Sequence, residues 1–155
     1  MATKAEVRLA SAADAATLAR MFNEFNAEFG DEALPEEALS ERIRAGIARG
    51  DMAFLLAGEG PDGFAQVAFQ PSLYRDRPNA YLGELWVRQE RRGLGLGRAL
   101  LEAAMGDARA RGCDHMDVTT SMGDDAARGL YESAGFTNRE GDPDGPLMIY
   151  SEREL

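Results

Sequence analysis

Leu82-Gly-Glu-Leu-Trp-Val87, Arg88-Gln-Glu-Arg-Arg92, Gly93-Leu94-Gly95-Leu96-Gly97-Arg98 and Ala99-Leu-Leu101 run on from one another, and the fold reading turns on them. A β-branched and aromatic run gives way to glycines at three alternate positions. These open a segment whose apolar residues Leu100, Leu101, Ala104 and Ala108 recur at helical spacing. The order is strand, glycine loop, helix. Such a loop aims several backbone N–H groups at one point, where the positive end of the helix dipole adds to them. Glycine suits the loop because a Cβ would hold an anion away and because such turns often require φ > 0. Arg92 and Arg98 bracket the loop with donors for charge-assisted hydrogen bonds. The physical reading is a pyrophosphate cradle.

Two phosphate-binding patterns fail here. The Walker loop needs Gly-Lys-Ser/Thr, and Gly97 is followed by Arg98 and Ala99. The dinucleotide fingerprint needs a third glycine where Arg98 stands. What remains, Arg92-x-x-Gly95-x-Gly97, resembles the acetyl-CoA signature of the GNAT family of N-acetyltransferases. A second stretch, Asp124-Asp-Ala-Ala127-Arg-Gly-Leu-Tyr131-Glu-Ser-Ala-Gly135-Phe136, is similar to that family's Asn-x-x-Ala-x-x-x-Tyr-x-x-x-Gly-Phe. Its one departure is Asp124 for Asn. An aspartate still caps a helix and accepts hydrogen bonds, but it has no amide N–H to give the cofactor arm. The spacing around Phe69-Gln-Pro-Ser72 and Gly83-Glu-Leu-Trp-Val87 looks like the branch related to yeast histone acetyltransferase homologues.

The chain of 155 residues reads as a single domain, 1–155, long enough to bury a core. Hydrophobic residues make up 45% and charged residues 28%, ordinary for a globular protein. No apolar run approaches the roughly 20 residues of a membrane helix, and the N-terminal residues lack the apolar centre of a signal peptide. No membrane partner is expected. The single Cys113 forbids an internal disulfide and suits the cytoplasm. With His115 as the only histidine, a His/Cys metal site is not expected. A net charge of −10 opposes binding to nucleic acid and weakly favours cationic substrates.

In chain order, Glu6 to Ala10 reads as a strand. Ser11-Ala-Ala-Asp14 is a capping-box-like start to a helix reaching Phe29, with Leu18, Phe22, Phe25 and Phe29 on one stripe. Pro35 opens a second helix through Arg49. Met52 to Ala57 and Phe64 to Phe69 form a hairpin across Gly60-Pro-Asp-Gly63. Ala80 to Val87 is the central strand, and the helix after the glycine loop runs to Arg111. Asp114 to Thr119 is a strand, Asp124 or Asp125 caps a short helix to Ser133, Gly135-Phe136 turns into a strand, and Leu147 to Arg153 is the last strand. The pattern β-α-α-β-β-β-α-β-α-β-β is an α/β mixed sheet with helices on both faces.

The resemblance implies the GNAT fold, with the central strand and the strand after the long helix splayed around the cofactor arm. It implies an acetyl-CoA-dependent transfer to a primary amine by direct attack, without an acyl-enzyme and without a metal. Cys113 is then a small buried hydrophobe. Tyr131 is the implied general acid toward the departing thiolate. Glu84, placed on the side of Leu82 and Trp86, is the candidate base; the alternative is a strand-end carboxylate paired with an arginine. Leu85 and Val87 are expected to offer backbone groups to the pantetheine arm, and Trp86 to pack beneath the cofactor or line the acceptor site. Arg92, Gly93, Leu94, Gly95, Leu96, Gly97, Arg98, Asp124, Ala127 and Tyr131 complete the cofactor set. Glu24, Glu28, Asp31, Glu32, Glu36, Glu37 and Glu41 cluster where the first two helices meet. They are either a steering field for a cationic amine or a solvated helix face. The expected acceptor is a small-molecule or peptide amine. A non-catalytic acyl-CoA-binding module would use the same cradle but has no need of Tyr131, and a longer-chain acyltransferase would need a wider pocket. A homodimer through Leu147 to Tyr150 is a further expectation.

Overall fold

The computed structural model describes residues 6–155, which fall into two compact units, one ending at Val118 and the other spanning Thr119–Leu155. The first unit holds β1 (Val7–Leu9), α1 (Ala15–Glu28), α2 (Glu36–Arg49), β2 (Met52–Ala57), β3 (Gly63–Gln70), β4 (Asn79–Val87), α3 (Leu96–Ala110) and β5 (Met116–Val118). The second holds α4 (Asp125–Ser133). The sheet order is β1-β2-β3-β4-β5, antiparallel as far as β4, with β5 parallel to β4. A parallel pair needs a long crossover, and α3 supplies it. This is the mixed α/β sheet expected. Among the described residues no helix is long and apolar enough to cross a membrane.

Each face of the sheet is covered by the helices whose apolar stripes fit it. On one face Phe54, Leu56, Phe64 and Trp86 pack with Leu18, Ala19 and Met21 of α1 and Ile43 of α2. Phe22 lies 4.3 Å from Phe64, ring centre to ring centre, and Phe64 lies 5.9 Å from Trp86. The alternate strand residues Leu55, Ala65, Val67 and Leu82 are buried on the opposite face, as are Leu100, Leu101, Ala104 and Ala108 of α3. A Cβ at Gly63, paired with Val87, would lie 3.2 Å from Leu100 Cδ1, which sets α3 on that side.

β4 carries one residue more than β3 opposite it. Gln66 pairs with Glu84 and Val67 with Leu82, so Gly83 is the extra residue of a β-bulge. A side chain there would collide with the Gln66 amide oxygen. The bulge corrects one expectation. Glu84 shares a face with Trp86 but not with Leu82, because the inserted Gly83 reverses the alternation between 82 and 84.

The last two expected strands are absent. Gly135 and Phe136 close α4 instead of starting a strand: Gly135 N–H donates to Glu132 O (3.0 Å) and Phe136 N–H to Tyr131 O (3.0 Å). Beyond them a single bridge joins Arg139 and Leu147 around the Asp142–Gly145 turn. From Leu147 to Tyr150 the side chains are exposed, so this run has no burial to hold it in a ladder.

At the start of α1 the capping-box reading is met in a short 3-10 turn, Ala12–Asp14. Ser11 N–H donates to Asp14 Oδ2 at 2.9 Å, while Arg8 donates to both Asp14 oxygens at 2.9 and 2.7 Å. These bonds hold the Asp14 carboxyl at about 2. The unfolded carboxyl titrates near 4, so this stabilisation is complete above about pH 4 and is lost as pH falls toward 2. Asp14→Asn should therefore lower Tm by about 2 °C at pH 6, and the gap should close near pH 2, as thermal melts at the two pH values would read.

Candidate active site

β4 pairs with β5 only from Ala80 to Leu82, opposite Met116 to Val118. Past that point Gly83–Val87 keeps its β3 ladder on one edge, and among the described residues no strand pairs with its other edge. That edge leads through the 3-10 turn Gln89–Arg91 into the glycine loop. Gly93 (φ +76°) and Gly95 (φ +83°) are left-handed, with nothing within 4 Å of a Cβ at either. Backbone conformation, not crowding, therefore demands glycine at both. Gly95 is the N-cap of α3, and the first helical closure is Ala99 N–H to Gly95 O at 3.0 Å. The N–H groups of the first turn, Leu96 to Arg98, have no intrahelical acceptor, and the helix dipole adds positive potential where they point. An extended edge leading to a helix N-terminus fits a long thioester arm ending in a diphosphate.

Glu84 is half-buried on the α1 side of this edge. Burial alone pushes its carboxyl up from the ordinary range. Among the described residues no arginine pairs with it, so the strand-end ion pair considered from sequence is not formed. Trp86 is 6% exposed and donates from Nε1 to Glu28 Oε2 at 2.6 Å. Its ring belongs to the aromatic layer under α1, and its backbone remains on the edge. Leu85 and Val87 alternate with it along β4.

The basic residues before the loop are bonded within the first unit. Arg92 donates from Nε to Val87 O at 2.9 Å and pairs with Glu28 at 2.6 Å. Arg88 bonds both Glu24 oxygens, at 2.7 and 2.9 Å, and Pro61 O at 2.9 Å. Glu24 and Glu28 are thus neutralised and leave the steering set, which reduces to Asp31, Glu32, Glu36, Glu37 and Glu41, all but Glu41 on or before the first turn of α2. Sequence reasoning missed this pairing. The signal was two acids and two arginines, each pair spaced by four. Arg98 is exposed at the first turn of α3.

In the second unit Asp124 caps α4: its Oδ1 accepts the Ala127 N–H at 3.0 Å, as the Asp-for-Asn reading requires. The spacing Tyr131-x-x-x-Gly135-Phe136 has a local cause. Tyr131 is the third residue from the helix end, Gly135 (φ +92°) takes the left-handed position after it, and Phe136 follows. The hydrogen bonds of Gly135 and Phe136 back to α4 make a Schellman motif. Its usual apolar contact is present as an edge contact of the Tyr131 and Phe136 rings, 5.8 Å between centres. Tyr131 is 8% exposed. Cys113 is buried just after α3, and burial raises its thiol, which suits a packing role. His115 sits at the surface against Asp117, 2.9 Å away. Among the described residues no three His, Cys, Asp or Glu side chains gather as a metal site.

Comparison with known proteins agrees with this geometry. The profile of the acetyltransferase (GNAT) family matches residues 18–136. A solved structure of a candidate acetyltransferase from Arthrobacter sp. FB24 is 42% identical, with a TM-score of 0.90, over 100% of this chain and 99% of that one. A mycothiol acetyltransferase of Beutenbergia cavernae is 36% identical over 100 residues, 62% of this chain but only 32% of that protein. The chain therefore spans about a third of that curated relative. The uncharacterized N-acetyltransferase YhfO of Bacillus subtilis is 28% identical over 87% of this chain and 91% of its own. An aminoglycoside acetyltransferase from a soil metagenome, solved with sisomicin, shares the fold at 18% identity and a TM-score of 0.77.

Proposed function

The chain belongs to the GNAT acetyltransferase family, and we propose that it is an N-acetyltransferase that moves an acetyl group from acetyl-CoA to a primary amine in a ternary complex. The acceptor is a small amine or a lysine side chain. The observation that carries this reading is the β4 edge beyond Leu82, which runs into a left-handed glycine turn and the N-terminus of α3.

Acetyl-CoA brings an activated thioester. The N–H groups of residues 93–98 would hold its diphosphate, and backbone groups of Leu85 to Val87 its pantetheine arm. Holding the two reactants together supplies much of the rate. Glu84, its carboxyl pushed up by burial, would take the proton that the ammonium must lose before attack. Tyr131 would return a proton to the departing sulfur. Its place in the family's Tyr-x-x-x-Gly-Phe pattern supports the role. Asp124 and Ala127 would join the cofactor set on the strength of their places in the family pattern. The acids at the start of α2, which form no ion pair among the described residues, support a cationic acceptor. The family profile, running from 18 to 136 across both units, supports one catalytic domain. The lone Cys113 supports a cytoplasmic location.

Acetyl-CoA turnover across polyamines, aminoglycosides, amino acids and lysine peptides tests the proposal. Aminoglycosides belong in the panel because a neighbour in fold acetylates them. Amine-dependent thioester loss with at least one class is expected. Coenzyme A binding without turnover on any amine would overturn the catalytic reading.

A further inference from the structure

We propose that Glu28 is a positioning residue for the cofactor loop: through Arg92 it fixes where the glycine turn leaves β4, and so sets affinity for the diphosphate end of coenzyme A. This rests on the cradle reading above. The Glu28 carboxylate receives Trp86 Nε1–H at 2.6 Å and the Arg92 guanidinium at 2.6 and 2.8 Å. Trp86 is buried in the aromatic layer, so the carboxylate is referenced to the core. Arg92 in turn bonds Val87 O at 2.9 Å, the last carbonyl of β4. It stands one residue before Gly93.

The loop itself has little to hold it. Nothing lies within 4 Å of where a Cβ would stand at Gly93 or Gly95, and Leu94 is 60% exposed. Gly-rich backbone of this kind samples many conformations, and only some aim the N–H groups together. The nearest fixed point upstream is the Arg92 guanidinium. A second pair, Glu24 with Arg88, lies four residues earlier on both elements and ties the other end of the 3-10 turn to α1. Residues four apart share one face of a helix, so α1 presents both carboxylates to the same run of chain. Only Glu28 reaches the residue next to the loop.

The test titrates coenzyme A into wild type, Glu28→Gln, Glu28→Ala, Arg92→Ala and the double variant Glu28→Ala/Arg92→Ala by calorimetry, with KM measured for each substrate. Loss of one charge-assisted pair should raise Kd for coenzyme A and KM for acetyl-CoA about tenfold in Glu28→Ala. In the isosteric Glu28→Gln, which keeps an acceptor for Trp86, the rise should be about threefold. In the Glu28 variants the amine KM and kcat should move by less than about threefold, and the double variant should be no worse than Arg92→Ala. If wild type binds and both Glu28 variants bind equally well, the inference fails alone. It also fails if the two single effects add, or if both KM values rise together with a falling Tm. A wild type that gives no heat with coenzyme A removes the cradle and this inference with it.

Discussion

Tyr131→Phe is expected to lower kcat at least tenfold while the coenzyme A Kd stays near wild type. General acids contribute roughly 10²- to 10⁴-fold, and a thiolate leaving unprotonated retains part of the rate, so the floor of the expected loss falls below that range, at about tenfold. Phenylalanine keeps the ring edge against Phe136, and the closing bonds from Gly135 and Phe136 are backbone bonds to Glu132 and Tyr131, so α4 should end as before. A group that acts only in the transition state changes kcat and kcat/KM alike. Stopped-flow assays of thiol release would show it. Wild-type turnover in Tyr131→Phe would leave the tyrosine a packing role.

Glu84→Gln should have the second large effect, about a hundredfold loss of kcat/KM at neutral pH, and it carries a pH signature. Burial raises the Glu84 carboxyl, so activity should climb through a pH above the ordinary carboxylate range as the base loses its proton. That acid limb should vanish in the variant. Stability should move the other way. With a folded pKa above the unfolded one, Glu84 imposes no penalty below the unfolded pKa and destabilises increasingly as pH rises through the folded value. Glu84→Gln should then melt at or above the wild-type temperature at pH 7, which separates a lost base from a damaged fold. An unchanged acid limb would clear Glu84.

Periodicity was enough to find α1, α2 and α3, because each has an apolar stripe that a sheet face buries, as Leu100, Leu101, Ala104 and Ala108 of α3 do. Capping chemistry marked helix ends because it is local, as with Asp124 and Gly135 of α4. The glycine loop was legible because φ > 0 leaves few residue choices. What escaped was non-local. Glu24 and Glu28 look like solvent-facing acids on α1, and only the tertiary fold brings Arg88 and Arg92, 64 residues onward in each case, against them. Leu147 to Tyr150 has a strand's composition, but a strand exists only with a partner, and composition does not say whether one is supplied. The bulge was readable in principle, since a glycine within a strand pattern is a bulge signal, and Gly83 was passed over.

Gly83 also governs how roles transfer among relatives. Because Leu82 and Glu84 already face opposite sides, a chain lacking that one residue would keep its carboxylate toward α1 in an unbroken ladder, whereas a chain of equal length without the bulge would turn it toward α3 if Leu82 kept its place. In that second case only a count backward from the loop preserves the chemistry, since the loop and Val87 are anchored together by Arg92. A deletion at 83 thus leaves every side chain on its own side, whereas an unbulged strand of the same length exchanges sides for everything upstream, so homologues should be aligned from their glycines toward the amino terminus with any gap placed at 83.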